Sequence, residues 1–325
     1  MNKELFKNKV VLVTGGAGFI GSHIVDKALE LGAEKVICYD NLIGTNNSLG
    51  NIKHLNTPRF KFVRGDIKDY GEIKPLVEES DIIFNEAASK LVVSLKDPTI
   101  DVQTNVVGNF NIAEILRKSG SNARIIHAST GSVFGSSDKP FEEIDPMNPS
   151  TVYGISKLAA EKYFLLYHRL YGIKATVLRY FHVFGPRQDF TGEAGVVGIF
   201  LSRALKGLPP QVCGTGEAIR CFTLVDDVVD ANLILYKNNN SIGQDYNIAS
   251  RNRVSVLQLA NTVINRYGSN GMKPEFMAPR LGENLKPIPN TKKIEQLGFK
   301  ESVTFDEGLE RTKQWIAEQI KNNSK

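Results

Sequence analysis

The chain has 325 residues, 42% hydrophobic and 23% charged, with three cysteines and a formal net charge of +5. That balance fits a globular protein of one large or two modest domains, with a core that needs no disulfide support. It excludes a disulfide-stapled scaffold, and the absence of a long basic run or arginine–aromatic tract argues against a nucleic-acid partner.

In chain order, Val10 to Val13 reads as a strand. Thr14-Gly15-Gly16-Ala17-Gly18-Phe19-Ile20-Gly21 then reads as a glycine turn opening a helix at about Ser22 to Leu31, stopped by Gly32. Gly15, Gly18 and Gly21 have G-x-x-G-x-x-G spacing, and Gly16, Gly18 and Gly21 also satisfy G-x-G-x-x-G. Missing side chains let backbone N–H groups approach a pyrophosphate at the helix N-terminus. A second strand, Lys35 to Tyr39, ends at Asp40. An acid about 20 residues past the glycines binds both ribose hydroxyls and repels a 2′-phosphate, so NAD is favoured over NADP. The competing reading is a bare glycine turn with a surface Asp; strand, helix and acid in this order weigh against it.

Further strands are expected at Phe60 to Val63, followed by Asp66, at Ile82 to Asn85, and at Arg124 to Ala128. Val102 to Arg117 has helical apolar spacing. Val152 to Tyr171 reads as a long helix closed by Gly172, and Ala175 to Arg179 as the next strand. Repeated βα units imply an α/β fold, a doubly wound parallel Rossmann sheet with ligands beyond the carboxyl ends of its strands. After Arg179 glycine and proline become denser. Val225 to Leu235 and Tyr246 to Ile248 are candidates to return to the sheet, and Ser255 with Gln258 and Thr304 with Glu307 carry helix-capping signatures. The expected division is a NAD-binding Rossmann domain, 1–178 with 225–250 returning to it, and a smaller C-terminal α/β substrate domain, 179–224 with 251–325. Asn238 to Asn240 is expected as a loop and Lys321 to Lys325 as a frayed tail.

Cys38, Cys213 and Cys221 are scattered and lack C-x-x-C spacing, which points to a reducing compartment. The histidines show no metal-ligand spacing, so no metal is expected. No N-terminal apolar stretch suits a signal peptide or membrane span, so a cytoplasmic location is expected. A mild positive charge suits an anionic small molecule, although most of the lysines read as ordinary solvated side chains.

Tyr153 and Lys157 stand four apart and share one face of the predicted helix. An ammonium beside a phenol favours the phenolate, lowering its pKa from about 10 and giving a proton acceptor or donor near neutral pH. Alone, Y-x-x-x-K is a weak signal.

With these residues in place the chain resembles, over nearly its whole length, the extended short-chain dehydrogenase/reductase family, the sugar-nucleotide epimerases and dehydratases. The resemblance rests on the glycine motif, Asp40, Asp66, Asn105, Ala128-Ser129-Thr130 before Val133-Phe134-Gly135, and Tyr153 with Lys157. It continues with Arg179-Tyr180-Phe181, Gly185-Pro186-Arg187, Arg220 before Phe222, Asp226-Asp227 and Pro279-Arg280. It implies a NAD site formed by Gly15, Gly18, Phe19, Ile20, Gly21, Asp40, Asn41, Asp66, Ile67, Ala87, Lys90, Asn105, Tyr153 and Lys157, with Asp66 and Ile67 at the adenine. It implies Thr130 on the reacting sugar hydroxyl, Tyr153 as acid/base and Lys157 on the nicotinamide ribose. Substrate contacts are implied for Lys90, Ser94, Thr130, His182, Arg220 and Arg280, the two arginines offering planar forks to the diphosphate. Pro287, seven past Arg280, is implied beside the sugar C2 substituent, where it is small enough to admit an N-acetyl group.

The reaction so implied is NAD-dependent 4-epimerisation of a nucleotide-diphosphate sugar, most like that of UDP-glucose or UDP-N-acetylglucosamine, by C4 oxidation, rotation of the keto-sugar and re-reduction. The alternatives are a 4-reductase, dehydratase or decarboxylase of the same family, or a non-catalytic NAD-binding scaffold. Gly131-Ser132 follows Thr130 where related dehydratases carry Asp-Glu; glycine can neither take a C5 proton nor protonate a departing hydroxyl. The short Gly131 is expected to leave space beside the sugar; a carboxylate from elsewhere, such as Glu142 or Glu193, could rescue dehydration, but neither occupies the family position. Other departures are His182 for the usual Asn, Val196-Val197-Gly198 for a polar-apolar-Pro stretch, Cys221 for Asp, and Asn85-Glu86 for His-Leu. A homodimer is implied, pairing the helices at Val102 to Arg117 and Val152 to Tyr171, with Leu158, Phe164, Leu165 and Tyr167 as apolar surface.

Overall fold

The computed structural model describes residues 4–44, 48–137, 139–191, 195–279 and 287–323. Its centre is a sheet of seven strands: β1 (Val10–Thr14), β2 (Lys35–Asp40), β3 (Phe60–Arg64), β4 (Ile82–Asn85), β5 (Arg124–Thr130), β6 (Lys174–Tyr180) and β7 (Asp245–Ile248). Their order is β7-β6-β5-β4-β1-β2-β3, and every pairing is parallel. Such strands are covered on both faces, which is why they read as continuous apolar runs instead of alternating ones. Val11 and Val13 point into one core with α1 (Phe19–Glu30) and α6 (Val225–Lys237), through Ile24, Val25, Val228 and Val229. Leu12, Ile83 and Ile125 point into the other, with α2 (Tyr70–Glu78), α3 (Asn109–Ser119) and α4 (Val152–Tyr171). The strand order reverses between β1 and β4, and the crevice at that switch point is where a doubly wound sheet binds its ligand.

A third core joins α5 (Val196–Leu205), α7 (Val256–Tyr267) and α8 (Phe305–Asn323) through Phe200, Leu201, Leu259, Val263, Leu309 and Ile316. Both capping signatures are used. Ser255 and Gln258 close a full capping box on α7, and Thr304 Oγ accepts the Glu307 N–H at 3.3 Å. No described helix is long and apolar enough to cross a membrane.

Several elements differ from expectation. The first helix starts at Phe19, three residues early, because Gly18 itself is the N-cap. Val102 to Arg117 is not one helix: Val102–Gly108 winds as a π-helix, and α3 begins only at Asn109. Apolar spacing cannot separate the two, and the wider turn brings Gly108 onto the Ile67 side chain, closer than any Cβ would allow. The segment after Val225 returns to the sheet face as a helix, while Asp245–Ile248 returns as the edge strand beside β6. The C-terminal helix continues through Asn323, so Lys321 belongs to it.

Candidate active site

The glycine turn is forced by close packing. Gly15 has φ +64°, and its N–H donates to the Tyr39 carbonyl at 2.8 Å. A side chain on Gly15 would come within 2.9 Å of the Ala87 backbone, and one on Gly21 would strike the Gly15 carbonyl. No side chain caps the first turn of α1, so the N–H groups there face the crevice ready for an anion. Asp40, only 8% exposed, accepts the Ala17 N–H at 3.0 Å on one oxygen and the Leu42 N–H at 2.7 Å on the other. Burial pushes its carboxyl up, and backbone N–H bonds from Leu42, Ala17 and Gly18 oppose that. A carboxylate has about four acceptor sites, so Asp40 can brace the turn and still accept from the ribose.

Asn41 donates to Asp66 at 2.9 Å, and Ile67 is buried behind it with its carbonyl held by Asn111 at 3.1 Å. The Ala87 N–H reaches Thr14 Oγ at 3.3 Å, which locks the β4 end against the glycine turn. A cradle that side chains would fill, an uncapped helix start and a braced acid together fit a dinucleotide. Asp40→Ala should therefore weaken NAD binding by about 1.5–3 kcal/mol, the value of charged hydrogen bonds. Calorimetric titration checks this; native protein that binds NADP as well as NAD would remove the role given to Asp40.

Thr151 caps α4 by accepting the Gly154 N–H at 3.0 Å, which sets Tyr153 in the first turn and Lys157 one turn further on. Both face the end of β5. Tyr153 shares a hydrogen bond with Thr130, and Lys157 donates to the Ala128 carbonyl at 2.5 Å. The three residues read as catalytic therefore meet.

Burial acts on both side chains and works against the expectation from spacing. Burial, with Asp101 adding to it, pushes the Tyr153 phenol up to about 12 against the Thr130 bond. Burial draws Lys157 down to about 8, against the pull of Glu86, Glu161 and Asp101. The ammonium is turned to Ala128, with the carboxylates of Glu86, Glu161 and Asp101 acting on it. Asn105 is wholly buried; it accepts the Ser89 N–H at 2.9 Å and donates to Ser156 at 3.0 Å, tying the loop after β4 to α4.

At the outer end of the crevice Lys90 lies 3.5 Å from Asp189. Ser94 is buried, and its N–H donates to the Lys90 carbonyl at 3.0 Å. His182 adopts φ +45°, and its buried Nδ1 has no hydrogen-bond partner among the described residues. Burial and then Arg220 push its pKa down to about 3, leaving a neutral imidazole. Arg220 is 9% exposed, pairs with Val254 in a short antiparallel bridge, and sits beside that imidazole. Pro287 is buried, next to Ile288, whose carbonyl accepts the Phe141 N–H at 2.8 Å. Arg280 and Glu193 lie outside the described residues. The space expected beside Gly131 is filled: a Cβ there would run into the Phe181 ring.

Sequence reasoning missed Asp101, Ser89 and Asp189, polar residues in unremarkable surroundings. It noted Glu86 only as a departure. A carboxylate between the apolar strand Ile82–Asn85 and Ala87-Ala88 was the available signal.

Residues 11–249 match the NAD dependent epimerase/dehydratase family. The chain is 36% identical over 306 residues to a UDP-glucose 4-epimerase of Mycolicibacterium smegmatis, covering 93% of this chain and 96% of that one. Its fold superposes on the UDP-glucose 4-epimerase of Thermotoga maritima, solved with UDP-glucose, with TM-score 0.87 and 35% identity, covering 96% of this chain and 99% of that one. It also superposes on the UDP-glucuronic acid 4-epimerase of Bacillus cereus, solved with UDP-glucuronic acid and NAD, with TM-score 0.89 and 28% identity over 95% and 99% of the two chains. A glycine cradle, a braced acid and a Thr–Tyr–Lys cluster, on a chain matched over most of its length, lead to one conclusion: the protein belongs to the NAD dependent epimerase/dehydratase family.

Proposed function

We propose that this protein is a NAD-dependent 4-epimerase of nucleotide-diphosphate sugars, with UDP-hexoses as the first substrates to test. The observation that carries the reading is the meeting of Thr130, Tyr153 and Lys157 at the end of β5, beside the dinucleotide cradle. Bound NAD would supply a hydride acceptor that gives the hydride back. Thr130 orients the C4 hydroxyl, Tyr153 takes and returns its proton, and Lys157 holds the nicotinamide ribose. His182 and Arg220 support a diphosphate subsite, with a neutral imidazole N–H replacing the usual amide; Arg280 completes it in this reading. Pro287 borders the C2 substituent and leaves room for an N-acetyl group. The Rossmann domain carries NAD and the α5–α7–α8 unit the sugar nucleotide. The free thiols Cys38, Cys213 and Cys221 support a reducing, cytoplasmic setting.

Dehydration needs a second acid/base pair at the sugar. The Thr130 step offers only Gly131 and Ser132, and Ser132 Oγ is engaged by Thr130 at 3.3 Å. Glu142 is exposed and turned to Asn290 at 3.3 Å. Glu86 has its backbone against the glycine turn and its carboxylate engaged by the Tyr180 hydroxyl at 2.9 Å. Incubation with UDP-glucose, UDP-N-acetylglucosamine and UDP-glucuronic acid should convert at least one to its C4 isomer, with unchanged mass and no net NADH oxidation. A product lighter by water or carbon dioxide would overturn this assignment.

We also propose a homodimer through α4 and the helical segment at 98–119. Ile155 and Leu170, 56% and 60% exposed, join Val107, Phe110 and Leu166 in an apolar strip along this helix pair. The strip differs from the one read from spacing. Phe164 is wholly buried against His127, and Tyr167 turns inward to donate to Glu114 at 2.6 Å. Light scattering at micromolar concentration should give twice the chain mass; a monomer alone would reject the interface.

A further inference from the structure

Glu86 stands where the family resemblance leads one to expect Leu. It follows β4 directly. Asn85 pairs with His127, so Glu86 lies level with Ala128, the residue whose carbonyl anchors Lys157 at 2.5 Å. From the end of β6, Tyr180 donates its hydroxyl to Glu86 Oε1 at 2.9 Å. Asn232 of α6 fixes the direction of that bond. Its amide donates to the Tyr180 oxygen at 2.8 Å and to the Val228 carbonyl at 2.8 Å, so the phenol accepts from Asn232 and spends its only proton on Glu86. A donor chain of this kind favours the ionised carboxylate.

We propose that Glu86 is a positioning residue that keeps Lys157 charged: Tyr180 and Asn232 clamp its carboxylate level with the Lys157 anchor, and this sets the upper pH at which the Tyr153–Lys157 pair works. The inference rests on the role given above to Lys157. Lys157 is faced by Tyr153 and Glu161 from its own helix, by His127 and Ala128 from β5, by Asp101 from the segment 98–101, and by Glu86. His127 is held neutral, by burial and then by Lys157 itself. Glu161 is shared with Arg179 and Ser129, while Asp101, held by Ser89, adds its own pull on Lys157 behind that of Glu86. Glu86 is bound by a neutral phenol, so its charge acts on Lys157. Burial pushes its carboxyl up to about 7, against the Tyr180 bond and Lys157, while Lys157 gives up its proton near 8. Between those values Glu86 is ionised and Lys157 protonated. Removing the charge at position 86 removes an attraction, so Lys157 must deprotonate at lower pH.

The test uses the full chain without substrate, with lysine side-chain carbons labelled and followed by NMR from neutral to alkaline pH. Lys157→Met identifies the signal. Glu86→Gln, which keeps the shape and removes the charge, should lower the Lys157 midpoint by about half a pH unit or more. Glu86→Asp should titrate near native, and the alkaline limb of turnover should move with the midpoint. If Glu86→Gln does not fold, Tyr180→Phe serves instead: loss of its donor raises the Glu86 pKa and should also lower the midpoint. An unchanged Lys157 midpoint in the folded variant overturns the proposal. A shifted midpoint in a protein that turns over no nucleotide sugar would support it and sink the epimerase reading.

Discussion

Tyr153→Phe should lower turnover on the true substrate by about 10²–10⁴-fold, the usual worth of a general acid–base group. Melting temperature and NAD affinity should stay near native. The substitution removes one hydroxyl whose partner is Thr130 and leaves the helix start intact, because Thr151 still caps it and Ser156 still donates to the Tyr153 carbonyl at 2.9 Å. Burial raises the phenol, and Tyr153 must be a phenolate to take the C4 proton; the positive charge of Lys157 favours that form, so the ionisation that shapes the alkaline side of the rate profile is that of Lys157. Its charge is present below about 8 and is lost as pH rises through that value, so native turnover should fall there. A Tyr153→Phe protein that retains more than half the native rate would show that another group carries the proton.

Much of this site was legible in the residues because its parts are local. A glycine turn, an acid at the end of the next strand and two side chains one helical turn apart need only strand and helix periodicity to be placed. What stayed hidden depends on contacts between distant segments. Spacing puts Lys157 beside Tyr153, but it cannot show that the ammonium turns to Ala128 or that Glu86, Asp101 and Glu161 surround it. The room expected next to Gly131 was taken by Phe181, fifty residues later in the chain. Phe164 and Tyr167 read as surface because α4 has apolar residues on more than one side; only its packing against α3 and β5 decides which of them are inside.

Glu161→Ala should cost about 3–5 kcal/mol of stability, the usual result of removing one partner from a buried ion pair. Arg179 and Glu161 are both fully buried, and they meet through two parallel bonds, Nη2 to Oε1 at 2.5 Å and Nε to Oε2 at 3.0 Å. Arg179 also contacts Asp245, donates to the Glu143 carbonyl at 3.2 Å and lies over the Phe134 ring. Without Glu161 its charge keeps only Asp245, which is partly exposed, so the lower half of that range is expected. Exchanging both residues for apolar ones, Arg179→Met with Glu161→Leu, should recover most of the loss, because it removes the stranded charge as well as the pair. The network reaches the chemistry through the sheet. Ser129 donates to Glu161 at 3.0 Å, Ser129 pairs with Arg179, and Thr130 pairs with Tyr180 in the next register position. The residues that orient the sugar hydroxyl and Glu86 are therefore fixed to β-strand ends that this ion pair holds together. Glu161→Ala should accordingly lose turnover even at temperatures where it is still folded. Denaturant unfolding measures the first effect and turnover in the folded range the second; a stability change under about 1 kcal/mol would show that Asp245 and the Glu143 carbonyl satisfy Arg179 without Glu161.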